Sequence, residues 1–200
     1  MLELMITVSV SLVLTGAAVI TFQPAMQQQR VNDAYNLTLT SLRRAREAAA
    51  ADMRTYVVTF SPAVTSGLHP NGGSITVNET TSSGTQLLSV SLPTDVTFHV
   101  EPGIPTSPTS TPTTPDGFGS GAYAFDFDQP PSGTGAGSVI YFYPDGTAED
   151  ANGNVNNGVV YMGRPGSLSS CRAITVWGYT GRIRGWRLYQ NSGVWSWSQQ

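Results

Sequence analysis

Three arginines, Arg182, Arg184 and Arg187, lie within the seven-residue segment GRIRGWR, interleaved with Trp186 and followed by Tyr189, Trp195 and Trp197. Guanidinium groups neutralise phosphates, and aromatic faces stack on exposed bases, so the segment reads as a candidate DNA contact. On a strand, alternate side chains share a face, which places Arg182 with Arg184. The structural alternative is a Gly-Arg turn that holds a hairpin, with the C-terminal aromatics closing a small core. Charge distribution leaves both open. Residues 151–200 carry five Arg and no acid, whereas residues 55–150 carry nine acids and no Arg. The basic quarter is therefore either a patch for an anionic partner or a face that meets the acidic middle.

Glu3 is the second candidate. It stands immediately before Leu4–Phe22, nineteen residues without a charge. Such a run covers roughly 28 Å as a helix, close to the ~30 Å hydrocarbon core of a bilayer. A carboxylate beside hydrocarbon costs on the order of 2.5–3.5 kcal/mol and needs a partner or water. A secretory signal would want a basic residue ahead of the run, and the first basic residue is Arg30.

Other constellations are weaker. From Asp150 onward, Asn152, Asn154 and Asn156 alternate as in a calcium loop, but an EF-hand needs Gly sixth and Glu twelfth, where Val155 and Tyr161 stand. A polar hairpin loop is the expectation, with no metal and no cofactor. His69 and His99 fall in a turn and a strand, and no H-E-x-x-H, nucleophile elbow, P-loop or G-x-G-x-x-G accompanies them. The chain reads as a non-enzyme. Cys171 is the single cysteine, which excludes an intrachain disulfide and fits a small buried apolar residue.

These groups need elements to position them. From Gln27 the apolar positions narrow to Val31, Tyr35, Thr38, Leu42, Ala45, Ala49 and Met53, at helical steps of three and four. The expectation is a helix to about residue 54, kinked or interrupted at Pro24, packing this stripe on the chain's own sheet. Arg43, Arg44 and Arg46 would face solvent. Strands are expected at 55–60, 74–78, 86–92, 95–100, 122–127, around 139–143, at 158–162, at 172–177 and after a turn at 179–181. Residues 101–120, with five Pro, read as a flexible insertion that anchors nothing.

Both ends resemble one family. The start LELMITVSVSLVL, with Glu3 at the glutamate position, is similar to the mature start of type IV pilins and type II secretion pseudopilins. Those begin with Phe, carry Glu four residues later and continue as an apolar helix. Their short basic leader ending in Gly, and the Phe, are not in the chain, Met1 standing at the third mature position. A start assigned too late or a trimmed chain is the expectation. Towards the C-terminus, Phe142, Pro144 and Gly146 resemble the F-x-P-x-G-like turn of the GspH/FimT family of minor pilins and pseudopilins. Gly181, Arg182, Ile183 and Arg184 resemble its G-R-x-R segment.

The resemblance implies an α+β, pilin-like fold: a long N-terminal helix (1–54, membrane anchor about 4–22) packed on a β-rich body (55–200). It implies a structural subunit of a type IV pilus or type II secretion system, with Glu3 paired to a neighbour's N-terminal amine during assembly. Partners would be other pilin subunits through the helix, and the bacterial inner membrane, with the body in the periplasm. Two alternatives stand beside it: a DNA-uptake pilin using Arg182, Arg184, Arg187 and Trp186, and a simple single-span anchored binding domain.

Overall fold

The computed structural model describes residues 2–64, 71–81, 84–106, 116–127 and 137–200, without the side chains of Leu2 and 17–21. His69 and most of the Pro-rich centre, 107–115, lie outside the described residues. One helix, α1 (Leu2–Asp52), opens the chain and spans 51 residues, roughly 75 Å at 1.5 Å per residue. It runs through Pro24, so of the kink or interruption expected there, the interruption does not occur. One proline costs about 3 kcal/mol in a helix interior, which a helix with many turns on either side absorbs.

Among the described residues the body consists of two antiparallel five-stranded sheets. Sequence order gives β1 (Tyr56–Ser61), β2 (Ser74–Glu79), β3 (Gln86–Ser91), β4 (Phe125–Phe127) and β5 (Val139–Phe142). Then follow β6 (Ala148–Glu149), β7 (Gly158–Met162), β8 (Arg172–Trp177), β9 (Arg182–Asn191) and β10 (Val194–Gln199). The first sheet has the order β3-β2-β1-β5-β6 and the second β10-β9-β8-β7-β4. The expected α+β architecture, one long helix packed on a β-rich body, is what the structure shows.

The C-terminal half of α1 covers both sheets. Val31, Tyr35, Thr38, Leu42, Ala45 and Ala49 are all buried, as the stripe requires. They join Val58, Phe60, Ile75, Val77, Ile140 and Phe142 of the first sheet with Val160, Met162, Ile174 and Val176 of the second in one core. Met53 departs from the expectation. The helix has ended at Asp52, Met53 takes a left-handed φ of 54°, and its side chain is exposed, because helical spacing stops applying where the helix stops.

A second, smaller core lies on the other face of the second sheet, where Val159, Tyr161, Cys171, Ala173 and Leu188 meet Ile104. β7 and β8 are therefore buried on both faces, which is why GVVYM and RAITVW lack the polar alternation of β1 and β2. Burial pushes the Cys171 thiol up to about 12, so it stays protonated and inert, as a small apolar core residue would.

Three sequence expectations need correction. Residues 95–100 form no strand. Val96 and Phe98 do point inward, Phe98 against Phe60 and Phe125, but the segment is irregular and its bridge to the sheet is the isolated pair Thr97–Gly163. Alternation reports which side chains are buried, not whether a strand runs alongside. The C-terminal region holds two strands, β9 and β10, joined at Ser192 and Gly193 with φ of 50° and 86°.

The third correction concerns the insertion 101–120. Its described flanks are anchored: the Trp197 indole N–H donates to the Pro105 carbonyl at 2.9 Å, the Tyr161 hydroxyl donates to the Phe118 carbonyl, and Phe118 stacks on Trp197 at 5.2 Å. Few apolar residues were in the sequence there, but each of these lands on an aromatic of the second core.

Helix and sheet approach closely at Gly185, where a Cβ would overlap the Tyr35 hydroxyl. Gly185→Ala is expected to destabilise the fold by about 1–3 kcal/mol through overpacking, read as a lower heat-unfolding midpoint. An unchanged midpoint would mean that α1 is not seated on β9.

Candidate functional site

The two segments that carry the family resemblance are 35 residues apart in sequence, counted from Gly146 to Gly181, yet they meet. The 143–146 turn closes through the Gly146 N–H donating to the Tyr143 carbonyl at 2.9 Å. Gly181 lies against the Gly146 carbonyl so closely that a Cβ would overlap it, and it adopts a φ of 57° that favours glycine. Arg46 of α1 ties the junction together. Its Nε donates to the Gly146 carbonyl at 3.3 Å and an Nη to the Thr180 carbonyl at 3.0 Å. Arg46 is exposed, as the expected solvated face requires, yet its position one turn after Leu42 and three residues before Ala49, on the margin of the buried stripe, lets it reach these carbonyls.

The arginine segment is β9, and the ladder splits it between two faces. Arg182, Arg184 and Trp186 alternate onto the side of the second core, whereas Gly185 faces Tyr35 of the helix and Arg187 shares that side. Arg187 thus does not belong to one patch with the other two. Asp116, from the C-terminal flank of the insertion, places its Oδ2 2.9 Å from Arg182 Nη2 and 2.6 Å from Arg184 Nη1. One carboxylate holds both guanidinium groups, and its Oδ1 accepts from the Thr175 hydroxyl. Trp186 is occupied as well: its indole N–H donates to Thr175 Oγ1 at 2.9 Å, and Phe118 sits edge-on against it at 5.2 Å. Here the basic quarter meets the acidic middle. Asp116 was missed because it lies among prolines with nothing around it in sequence. The clue was Arg182 and Arg184 themselves, two like charges on one face that want a counter-ion.

The loop after β5 is a polar hairpin organised by Asp150. Asp150 is buried, and its Oδ1 accepts from the backbone N–H of Asn152 and Asn154 at 2.8 and 2.9 Å, its Oδ2 from the Asn154 amide at 3.0 Å. Burial pushes the carboxyl up, but these hydrogen bonds outweigh it and hold it below its ordinary value. His99 bonds to Thr97 and, through Nε2, to Glu101 at 3.0 Å, a local loop contact.

Glu3 lies in the first turn of α1, exposed. Beyond it the large apolar side chains from Leu4 to Leu14, with Phe22 and Met26, are 50–72% exposed. The hydroxyls of Thr7, Ser9, Ser11 and Thr15 donate to carbonyls three or four residues back at 2.7–3.0 Å, which spares them water. Among the described residues no helix is long and apolar enough to cross a membrane. The run Leu4–Phe22 is described only in part, since the side chains of 17–21 fall outside that set.

No family model and no curated protein matches the chain. Among solved structures, the chain is similar to the type IV minor pilin FimU of Pseudomonas aeruginosa, at 12% identity and a TM-score of 0.42, over 82% of this chain and 90% of that one.

Asp116→Asn tests the arginine geometry. Asn tolerates the left-handed φ of 64° at this position, so the fold is retained while two guanidinium groups lose their counter-charge. Duplex DNA titrated at several salt concentrations should bind more tightly to Asp116→Asn than to the parent, with a log–log salt slope steeper by up to about 1.8, at ~0.9 per phosphate. Equal binding by the two would show that Asp116 does not mask Arg182 and Arg184.

Proposed function

We propose that the chain is a membrane-anchored, pilin-like structural subunit that joins a type IV pilus or a type II secretion pseudopilus through the N-terminal half of α1. The observation that carries this reading is the bare apolar helix: its large side chains stand clear of the body, 50–72% exposed. An apolar surface of that extent marks a surface that lipid or other helices cover. Its described hydroxyls are bonded within the helix, as a segment leaving water requires. The meeting of Gly146 with Gly181 gives the two resemblance segments a common structural job, seating the helix through Arg46.

On this reading Glu3 is the assembly residue, its cost in hydrocarbon offset by the amine of a neighbouring subunit. The body would lie in the periplasm and the anchor in the inner membrane. No observation favours DNA uptake: Asp116 holds Arg182 and Arg184, Trp186 is packed, and Arg187 faces the other way.

Glu3→Ala should leave membrane fractionation intact and the heat-unfolding midpoint of the detergent-solubilised chain within the equivalent of about 0.5 kcal/mol, but remove the chain from sheared filaments or cross-linked pseudopili. A simple anchored domain would tolerate the change. Normal incorporation of Glu3→Ala would therefore sink the assembly role and leave only an anchor.

A further inference from the structure

Each sheet has one end at the junction between the sheets and one end away from it. In the first sheet β6 sits at the junction, where the Ala148 N–H donates to the Gly178 carbonyl at 2.8 Å. In the second β4 does, where Phe127 bridges Gly137 just ahead of β5. That leaves β3 and β10 as the outer edges. Neither strand contains a charged residue or a proline. An edge of six residues with neither of these guards is a template for another strand.

The open backbone groups can be named. The Gln200 N–H donates to the Gly185 carbonyl at 3.0 Å. Alternation along the β9–β10 ladder then turns Ser198 and Ser196 towards β9, and Gln199, Trp197 and Trp195 away from it. The Leu92 N–H donates to the Gly73 carbonyl at 2.8 Å, which turns Val90 and Leu88 towards β2, and Ser91 and Ser89 away. Among the described residues, no strand or loop pairs with the outward side of β3 or β10. Both outward sets carry their side chains on the same side of the molecule. Trp195 and Trp197 belong to the second core, on the sheet face away from α1. Ser89 and Ser91 are exposed on the face of the first sheet away from α1, opposite to Leu88 and Val90, which pack on the shared core.

Strand direction matches as well. β8 runs with α1: Arg172 at its start meets Asn32, and the Thr180 carbonyl just past its end meets Arg46. Two antiparallel steps further, β10 runs the same way. β2 also runs with α1 and ends at Glu79 beside Arg54. β3 therefore runs against α1, and Asp95, past its end, meets Arg30. Two copies side by side with parallel helices thus present β10 and β3 to each other antiparallel, with both helices on one side.

We propose that β10 of one copy pairs with β3 of the next, Trp195 opposite Ser91 and Trp197 opposite Ser89. Sizes are complementary in this register: away from the helices each tryptophan lies over a serine, and on the helix side Ser196 and Ser198 face Val90 and Leu88. The paired part of β3 is clear of its register shift opposite Val77 and Asn78. Pairing β10 with β10 through all its open groups would instead oppose Trp197 to Trp197 and set the two helices head to tail. Because the two edges differ, the contact is heterologous and repeats from copy to copy. It adds a contact between bodies to the helix-mediated assembly. Only the parallel alignment of the helices rests on that reading, and a shared membrane raises the effective concentration at which the edges meet.

The test reconstitutes full chains carrying Ser196→Cys alone and Val90→Cys alone, together, in phosphatidylcholine vesicles, followed by mild oxidation. The proposed register makes these two positions a non-hydrogen-bonded pair about 4.5 Å apart at Cα, within disulfide reach. The parent, with its buried Cys171, sets the baseline. A disulfide-linked dimer is expected from the mixture and not from either variant alone, and a ladder of larger species from the chain carrying both substitutions. Ser89→Pro, at an edge position whose N–H faces away from β2, leaves the sheet paired and should remove the mixed dimer while keeping the heat-unfolding midpoint. Absence of a mixed dimer, a mixed dimer undiminished by Ser89→Pro, or as much dimer from Ser196→Cys alone as from the mixture would overturn the pairing. Chains that fail to float with the vesicles would sink the anchored reading, whereas a mixed dimer formed by such chains in solution would still uphold the pairing of edges.

Discussion

Two antiparallel sheets lie side by side in this molecule, and among the described residues no strand of one pairs with a strand of the other. Each has an apolar face to bury, and a single stripe of α1, from Val31 to Ala49, covers both. A layered domain needs such a shared core before either sheet is stable in water. The stripe uses small residues where the fit is closest: Ala34, Ala45 and Ala49 on the helix, and Gly185 on β9 beneath Tyr35. Burial of roughly 25 cal/mol per Å² acts here on both sheets at once. Separating the helix would expose two apolar faces, not one.

Polar contacts then lock what the stripe places. Arg46 reaches from the helix to carbonyls on both sides of the junction between the sheets. The Ala148 N–H donates to the Gly178 carbonyl, and Asn157 accepts from the Gly178 N–H, both at 2.8 Å. Asp116 clamps the insertion onto β9. The helix beyond residue 26 is thus structural, while among the described residues the part before it makes no comparable contact.

Much of this was legible in the sequence because the signals were periodic. The stripe from Val31 to Ala49 lay where steps of three and four put it, and TYVVTF and SITVN alternated as half-buried strands do. What was not legible depended on contacts distant in sequence. Val96 and Phe98 alternate like a strand, but their segment pairs through a single isolated bridge rather than a ladder. Phe118 and Pro105 sit in a stretch whose composition argues for disorder, yet each meets a tryptophan of β10 or β9 that composition cannot show. Arg182, Arg184 and Arg187 looked like one cluster because sequence distance ignores the two faces of a strand and the carboxylate 66 residues upstream of the first of them.

The central claim is that the C-terminal half of α1 is an integral part of the body's core and the N-terminal half is not. It is tested most directly by comparing two shortened chains, one beginning at Gln27 and one at Thr55, in denaturant unfolding followed by tryptophan fluorescence. The account predicts a single cooperative transition for the chain from Gln27, and no cooperative transition for the chain from Thr55, whose two sheets lack their common cover. A cooperative transition of similar midpoint in the chain from Thr55 would contradict it.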